Sequence, residues 1–172
     1  MARYALLGDS YITRLERFGF EFNTRETGEV RYFGKGGMST QNISAPLWDS
    51  LIAYSPTHVF IHLGGNDISA DVTAEQIFER VVETVRLLYS SGVRLVFIGK
   101  ILPRSHPRGM SIPSYRSKCE GVNRLLRQRY HRYFIITRVN PSRHLLPDGV
   151  HLNTKGLFRF AYKVQRAFNL RT

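Results

Sequence analysis

The chain is predicted to fold as a three-layer α/β/α domain, with a doubly wound parallel sheet covered by helices on both faces. Five apolar runs suited to buried strands alternate with five helix-like segments along the whole sequence. Strands joined through helices run parallel, because the crossover between them is right-handed. The chain has 172 residues, 42% of them hydrophobic, which suits one domain spanning 1–172 with a sizeable core.

The first two strands are predicted at short apolar runs near 3–7 and 30–34. Both runs contain the aromatic or β-branched residues that are favoured in sheets. Helices are predicted over about 11–18 and 40–54. Each strand is therefore followed by a helix, as a parallel sheet requires.

The third strand is predicted near 57–63 and the third helix over 73–90. Apolar residues recur along this helix at helical spacing, at Ile77, Val81, Val85 and Leu88. Thr73 and Gln76 have the spacing of a capping box, which predicts where the helix begins.

The fourth strand is predicted near 93–99, and the fourth helix, over 115–130, is amphipathic. Its apolar stripe consists of Tyr115, Cys119, Val122 and Leu126, with Arg116, Arg124 and Arg127 on the opposite side. The stretch 102–114 holds three prolines and is predicted to be a loop within the domain. A fifth strand near 133–138 and a last helix over 155–168 complete the pattern.

Charge is distributed unevenly along the chain, whose formal net charge is +12. Residues 1–93 hold 8 Lys and Arg against 11 Asp and Glu, whereas residues 94–172 hold 17 against 2. A basic C-terminal half suits contact with a polyanion, either nucleic acid or an anionic membrane surface. A solvated arginine-rich surface explains the charge equally well, so both interpretations stay open.

Cys119 is the single cysteine, so an intramolecular disulfide is excluded and a reducing compartment is compatible with the sequence. The short apolar N-terminus reaches Gly8 too soon for a signal peptide, and no apolar run approaches the roughly 18 residues of a membrane span. We therefore expect an intracellular, cytoplasmic protein. The sequence has no His-Glu-x-x-His helix and no carboxylate cluster at ligand spacing, so neither a metal nor a cofactor is expected.

Four short segments are predicted to meet at one edge of the sheet, where ligands of open parallel sheets bind. They are Gly8-Asp9-Ser10, Gly34-Lys35-Gly36-Gly37, Gly64-Gly65-Asn66-Asp67 and Asp148-Gly149-Val150-His151. Together they supply a nucleophile, oxyanion donors, and a histidine base with its orienting carboxylate. The sequence therefore predicts a site for acyl transfer.

Each segment taken alone has a structural explanation. Ser10 also suits a helix N-cap, the glycines suit turns, and Asn66 suits an Asx turn. The glycine segment lacks the spacing of a phosphate-binding loop. Asp148 lies three residues before His151, so one loop can present both side chains, as a base and its orienting group require.

The filled motifs are similar to those of the SGNH hydrolases, also called GDSL-type esterases and lipases. The pattern is most similar to the catalytic subunits of platelet-activating-factor acetylhydrolase Ib, through the stretches 33–41, 102–104 and 122–126. The resemblance implies a flavodoxin-like five-stranded sheet in the order 2-1-3-4-5. It also implies that Ser10, Asp148 and His151 are catalytic, with Ser10, Gly37 and Asn66 in the oxyanion hole.

The expected activity is hydrolysis of small, acetyl-type esters through an acyl-enzyme. Four residues are expected near the substrate, namely Tyr11, Met38, Arg104 and Arg108. Tyr11 replaces the leucine of the family motif and is expected to reshape the entrance. The two arginines suit an anionic headgroup or sugar acid, and equally suit solvated charges on a loop. The alternative is a nucleic-acid-binding or anionic-lipid-binding domain of a larger protein, such as a retroelement protein, with accessory esterase activity. A homodimer is implied by the resemblance only.

Overall fold

The structure is a computed structural model that describes residues 1–171, and its centre is one parallel sheet of five strands in the order β2-β1-β3-β4-β5. The strands are β1 Tyr4–Gly8, β2 Val30–Gly34, β3 His58–His62, β4 Leu95–Gly99 and β5 Phe134–Ile135. Gly8 pairs with Gly34 on one side and with His62 on the other, so β1, β2 and β3 end level with one another. The predicted fold class and strand order are confirmed.

Helices cover both faces of the sheet. They are α1 Ser10–Phe18, α2 Ala45–Tyr54, α3 Ala74–Ser90, α4 Ile112–Tyr130, α5 Pro141–His144 and α6 Thr154–Phe168. Short 3₁₀ turns lie at Gly65–Asp67 and His131–Tyr133. Ala5 and Leu7 pack in the core cluster that contains the buried faces of α3 and α4, whereas Tyr4 and Leu6 pack with α1 and α6. This alternation follows the two-residue period of a strand that is buried on both faces.

Several boundaries differ from those predicted. α2 begins at Ala45 rather than near 40, because Ser44 caps it by accepting the Leu47 N–H and Pro46 occupies the first turn. α4 begins at Ile112, with Ser111 as its cap, so part of the predicted 102–114 loop is helical. β5 is two residues long instead of six, and α5 was not predicted.

Candidate active site

Ser10 is the first residue of α1, directly after the turn that leaves β1. Gly8, the last residue of β1, allows the close approach to β3, because a Cβ there would lie 2.4 Å from the carbonyl oxygen of His62. Asp9 caps the helix by accepting the Tyr11 N–H over 3.0 Å. The hydroxyl of Ser10 therefore stands at a helix N-terminus, where the helix dipole favours negative charge.

Ser10, His151 and Asp148 form a hydrogen-bonded chain across 141 positions of sequence. The Ser10 Oγ lies 3.0 Å from His151 Nε2, and His151 Nδ1 lies 2.6 Å from Asp148 Oδ2. The other carboxylate oxygen of Asp148 accepts the backbone N–H groups of Val150 and His151. Partial burial raises the pKa of Asp148, but these hydrogen bonds outweigh it and lower the pKa to about 2. Asp148 is therefore ionised at neutral pH and can orient His151.

The loop that carries Asp148 and His151 is fastened on two sides. The carbonyl oxygen of Gly149 accepts the N–H groups of Ser105 and His106 from the loop after β4. Gly149 has φ +69°, and a Cβ there would meet the His106 ring. The Tyr11 hydroxyl donates to the Val150 carbonyl oxygen over 2.8 Å. His151 is therefore held against both α1 and the β4–α4 loop.

Two backbone N–H groups at the cavity are candidates for stabilising an oxyanion. Within residues 1–171, neither the Ser10 N–H nor the Gly37 N–H donates to a protein acceptor. Gly37 adopts φ +74°, a conformation that side chains rarely adopt. Both residues line the same cavity as His151.

The side chain of Asn66 lies at the same cavity, between three neighbours. Its Oδ1 accepts from Arg104 Nη2 over 3.1 Å, and its Nδ2 donates to the Met38 carbonyl oxygen over 3.1 Å. A longer contact of 3.5 Å joins Nδ2 to Asp9 Oδ2. One hydrogen of the amide is therefore held only weakly by the protein and can be donated to a reacting oxygen.

Arg104 lies behind Asn66 rather than in open solvent. Its guanidinium stacks over the Tyr115 ring, with 5.4 Å between Cζ and the ring centroid. Its Nε is buried without a partner among the described residues. Arg104 thus fixes the orientation of the Asn66 amide from its oxygen side.

Asp67 joins the asparagine segment to the glycine segment. Its carboxylate accepts both the backbone N–H and the hydroxyl of Thr40. Burial raises the pKa of Asp67, although the hydrogen bonds from Thr40 oppose this effect. No sequence motif predicts this role of Asp67, because its pairing with Thr40 spans 27 positions.

The catalytic cavity, as we name it, has a volume of about 560 Å³. It brings together the predicted site residues Ser10, Gly37, Asn66, Asp148, His151, Arg104 and Arg108. The lining also includes Thr13, Arg14, Arg17 and His106, which sequence reasoning missed. The signal that could have found Arg14 and Arg17 is helical spacing, since they lie four and seven residues after Ser10.

The side chains of Tyr11 and Met38, two of the residues expected near the substrate, do not line this cavity. Tyr11 is 3% exposed and Met38 is 2% exposed, because both pack into the core. The Tyr11 hydroxyl donates to the loop that carries His151, and the Met38 carbonyl oxygen accepts from the Asn66 amide. The lining of the cavity includes four arginines, Arg14, Arg17, Arg104 and Arg108.

A model of the GDSL-like lipase and acylhydrolase family matches residues 6–157 of the chain. No curated protein matches it in sequence. No helix described within residues 1–171 has the length and apolar character needed to cross a membrane.

Solved structures share the fold at low sequence identity. A protein from Bacteroides fragilis NCTC 9343 that is named as an acylhydrolase superposes with a TM-score of 0.75 at 20% identity, covering 96% of this chain and 86% of its own. A lipase/acylhydrolase from Enterococcus faecalis gives 0.70 at 17% identity, covering 96% and 94%. A catalytic mutant of an acetylxylan esterase from Geobacillus stearothermophilus gives 0.72 at 15% identity, covering 99% and 95%.

Proposed function

Because the chain belongs to the GDSL-like lipase and acylhydrolase family of the SGNH superfamily, we propose that it is a serine esterase that hydrolyses small, acetyl-type esters. The observation that carries this proposal is the hydrogen-bonded chain from Ser10 through His151 to Asp148. Asp9, not Ser10, caps α1, and a serine with a purely structural role has no need of a histidine at 3.0 Å that is itself oriented by a carboxylate. The second support is that the N–H groups of Ser10 and Gly37, which line the same cavity as His151, donate to no acceptor within residues 1–171.

The reaction we propose has two steps. In the first, His151 Nε2 takes the Ser10 proton while Oγ attacks the ester carbonyl carbon, and the proton then passes to the departing alcohol oxygen. The negative oxygen is stabilised by the N–H groups of Ser10 and Gly37 and by Asn66 Nδ2. In the second step, His151 deprotonates a water that attacks the acyl-enzyme, and Ser10 regains its proton as the carboxylic acid leaves.

Acetyl esters are the first substrates to test. One fold neighbour is named as an acetyl esterase and another as an acetylxylan esterase, which suggests the acyl group to try without assigning it. The closer likeness to platelet-activating-factor acetylhydrolase Ib subunits stays a prediction from the sequence stretches that resemble them. A homodimer likewise stays a prediction.

The test compares hydrolysis of 4-nitrophenyl acetate and 4-nitrophenyl butyrate by the wild type and by Ser10→Ala. We expect the wild type to hydrolyse these esters and Ser10→Ala to lose the activity. The control Ser50→Ala, at an exposed serine of α2, should keep it. Equal rates for Ser10→Ala and the wild type would refute the serine mechanism. Faster hydrolysis as the acyl chain lengthens beyond butyrate would contradict the small-acyl proposal.

Polyanion binding is the second candidate function, and a specific surface favours it. Two adjoining grooves beside β5 and α6 share Lys163. One groove adds Arg138 and Arg159, and the other adds Arg132 and Arg166. Binding of a labelled single-stranded oligonucleotide, or of anionic lipid vesicles, would then weaken steeply with salt, because phosphate contacts release counterions. Absence of binding to both at low salt would exclude this function.

A further inference from the structure

Three arginines of the catalytic cavity have no acceptor among the residues that the structure describes. Within residues 1–171, the guanidinium groups of Arg14, Arg17 and Arg108 make no hydrogen bond or ion pair. They differ in this from Arg104, which is occupied by Asn66. Their positive charge is therefore available to a ligand.

The cavity offers these cations almost no compensating charge. Asp148 is the one carboxylate on the lining that the structure describes, and its oxygens already accept from the His151 ring and from two backbone N–H groups. A concave surface lined by one sign of charge concentrates ions of the opposite sign. We therefore expect the catalytic cavity to attract anions.

The arginines are also placed in line with the nucleophile. Ser10, Arg14 and Arg17 share one face of α1, since residues four and seven positions apart lie above one another on a helix. At a rise of 1.5 Å per residue, their Cα atoms lie about 6 and 10 Å along the axis from that of Ser10. Arg108 reaches the same cavity from the β4–α4 loop.

We infer that the ester substrate carries an anionic group, a carboxylate or a phosphate, that lies in the same cavity as the scissile carbonyl. Guanidinium groups bind both anions through paired hydrogen bonds, and they remain charged at every physiological pH. This inference rests on the proposed esterase function and names its substrate class. It assigns the binding of the anion to Arg14, Arg17 and Arg108.

Two pairs of esters test this assignment and distinguish the side of the ester that carries the charge. On the acyl side, mono-4-nitrophenyl glutarate is compared with 4-nitrophenyl valerate, which is similar in length but neutral. On the alcohol side, 3-acetoxybenzoate is compared with its methyl ester. At low salt we expect the anionic member of one pair to have a kcat/KM about tenfold higher than its neutral partner.

Two double variants test whether the arginines cause the preference for the anionic ester. In Arg14→Gln/Arg17→Gln, the ratio of anionic to neutral kcat/KM should fall about tenfold. The charge-matched control, Arg25→Gln/Arg94→Gln, changes exposed arginines that precede β2 and β4 and lie outside the cavity, and it should keep the wild-type ratio. Inorganic phosphate should compete with the anionic ester in the wild type, which tests the site without any substitution.

The possible failures are distinguishable. Turnover of 4-nitrophenyl acetate with no preference for either anionic ester would overturn the inference and leave the esterase proposal intact. An unchanged ratio in Arg14→Gln/Arg17→Gln, or an equal fall in the control, would also overturn it. Absence of any Ser10-dependent ester hydrolysis would overturn the proposed function, and the substrate class with it.

Discussion

The hydroxyl of Tyr11, the residue after Ser10, donates a hydrogen bond of 2.8 Å to the carbonyl oxygen of Val150, the residue before His151. Burial raises the pKa of Tyr11 to about 12, so the hydroxyl keeps its proton and stays a donor. Its ring also packs edge-on against His62, with 4.9 Å between the centroids. Tyr11 therefore fixes the distance between the helix that begins at Ser10 and the loop that carries His151.

Replacing Tyr11 with phenylalanine should reduce kcat more than it changes KM. The ring still fills its place in the core, but the loop loses one hydrogen bond, worth about 1 kcal/mol, and His151 samples more positions. We expect kcat to fall about tenfold, since small misplacements of a catalytic group are costly. Steady-state kinetics and urea unfolding measure both effects.

The control for this substitution is Tyr162→Phe, which removes a hydroxyl from a side chain that is 50% exposed. It should leave kcat unchanged. A Tyr11→Phe enzyme with wild-type kcat would show that the hydrogen bond to Val150 does not position the base.

Local relationships were predictable from the sequence. The capping box of Thr73 and Gln76 forms as predicted, because both of its hydrogen bonds join residues three positions apart. The apolar stripe of α4 is buried for the same reason, since helical periodicity alone defines it. Motifs that end strands could likewise be assigned to one edge of the sheet.

Relationships between distant segments were not predictable in this way. The Tyr11 hydroxyl meets a carbonyl 139 positions away, so its sequence position suggested an entrance residue rather than a support. Asn66 and Arg104 are 38 positions apart, and their pairing depends on how the β4–α4 loop folds over the sheet edge. β5 pairs with β4 over only two residues, and the longer apolar run in the sequence does not reveal how far this pairing extends.

Replacing Asp148 with asparagine should reduce turnover about 10² to 10⁴-fold, because the amide no longer holds His151 in the tautomer that accepts the Ser10 proton. The fold should survive, since the side chain is 43% exposed and the amide oxygen can still accept the Val150 N–H. The measurement is kcat against pH, from about 5 to 9, with Asp71→Asn as an exposed aspartate control. A wild-type rate and pH profile in Asp148→Asn would remove Asp148 from the catalytic set.

Asn66 and Arg104 should act as one unit. Asn66→Ala removes an oxyanion donor and should reduce kcat about 10² to 10³-fold. Arg104→Gln should reduce kcat by a smaller factor, about tenfold, because it frees the Asn66 amide to rotate without deleting it. If Arg104 acts through Asn66, adding Arg104→Gln to the Asn66→Ala variant should reduce kcat only slightly further.

A double-mutant cycle on kcat measures that coupling. Fully additive effects would show that Arg104 contributes independently of Asn66, for example by contacting the substrate directly. Arg116→Gln is the matched control, since Arg116 follows the stacked Tyr115 in sequence but does not line the catalytic cavity.

The stability of the fold should decrease as pH rises from about 4 to about 7, and Asp9 is the reason. Asp9 is 1% exposed, and its burial raises the pKa to about 7 from 3.8, although the Tyr11 N–H and the Arg104 guanidinium oppose the increase. Between these pH values the folded protein keeps a proton that the unfolded chain has released. Folding therefore takes up a proton in this range, so raising the pH favours unfolding, and the effect ends above the folded-state pKa.

Asp9→Asn should abolish this contribution, because the amide stays neutral at all pH values and its oxygen can still accept the Tyr11 N–H. One pKa unit corresponds to about 1.4 kcal/mol, so the variant should gain a few kcal/mol over the wild type between pH 4 and pH 8. Urea unfolding at both pH values measures the difference, with Asp49→Asn, at an exposed position of α2, as the control. If the two variants respond to pH in the same way, Asp9 is not the buried group that titrates.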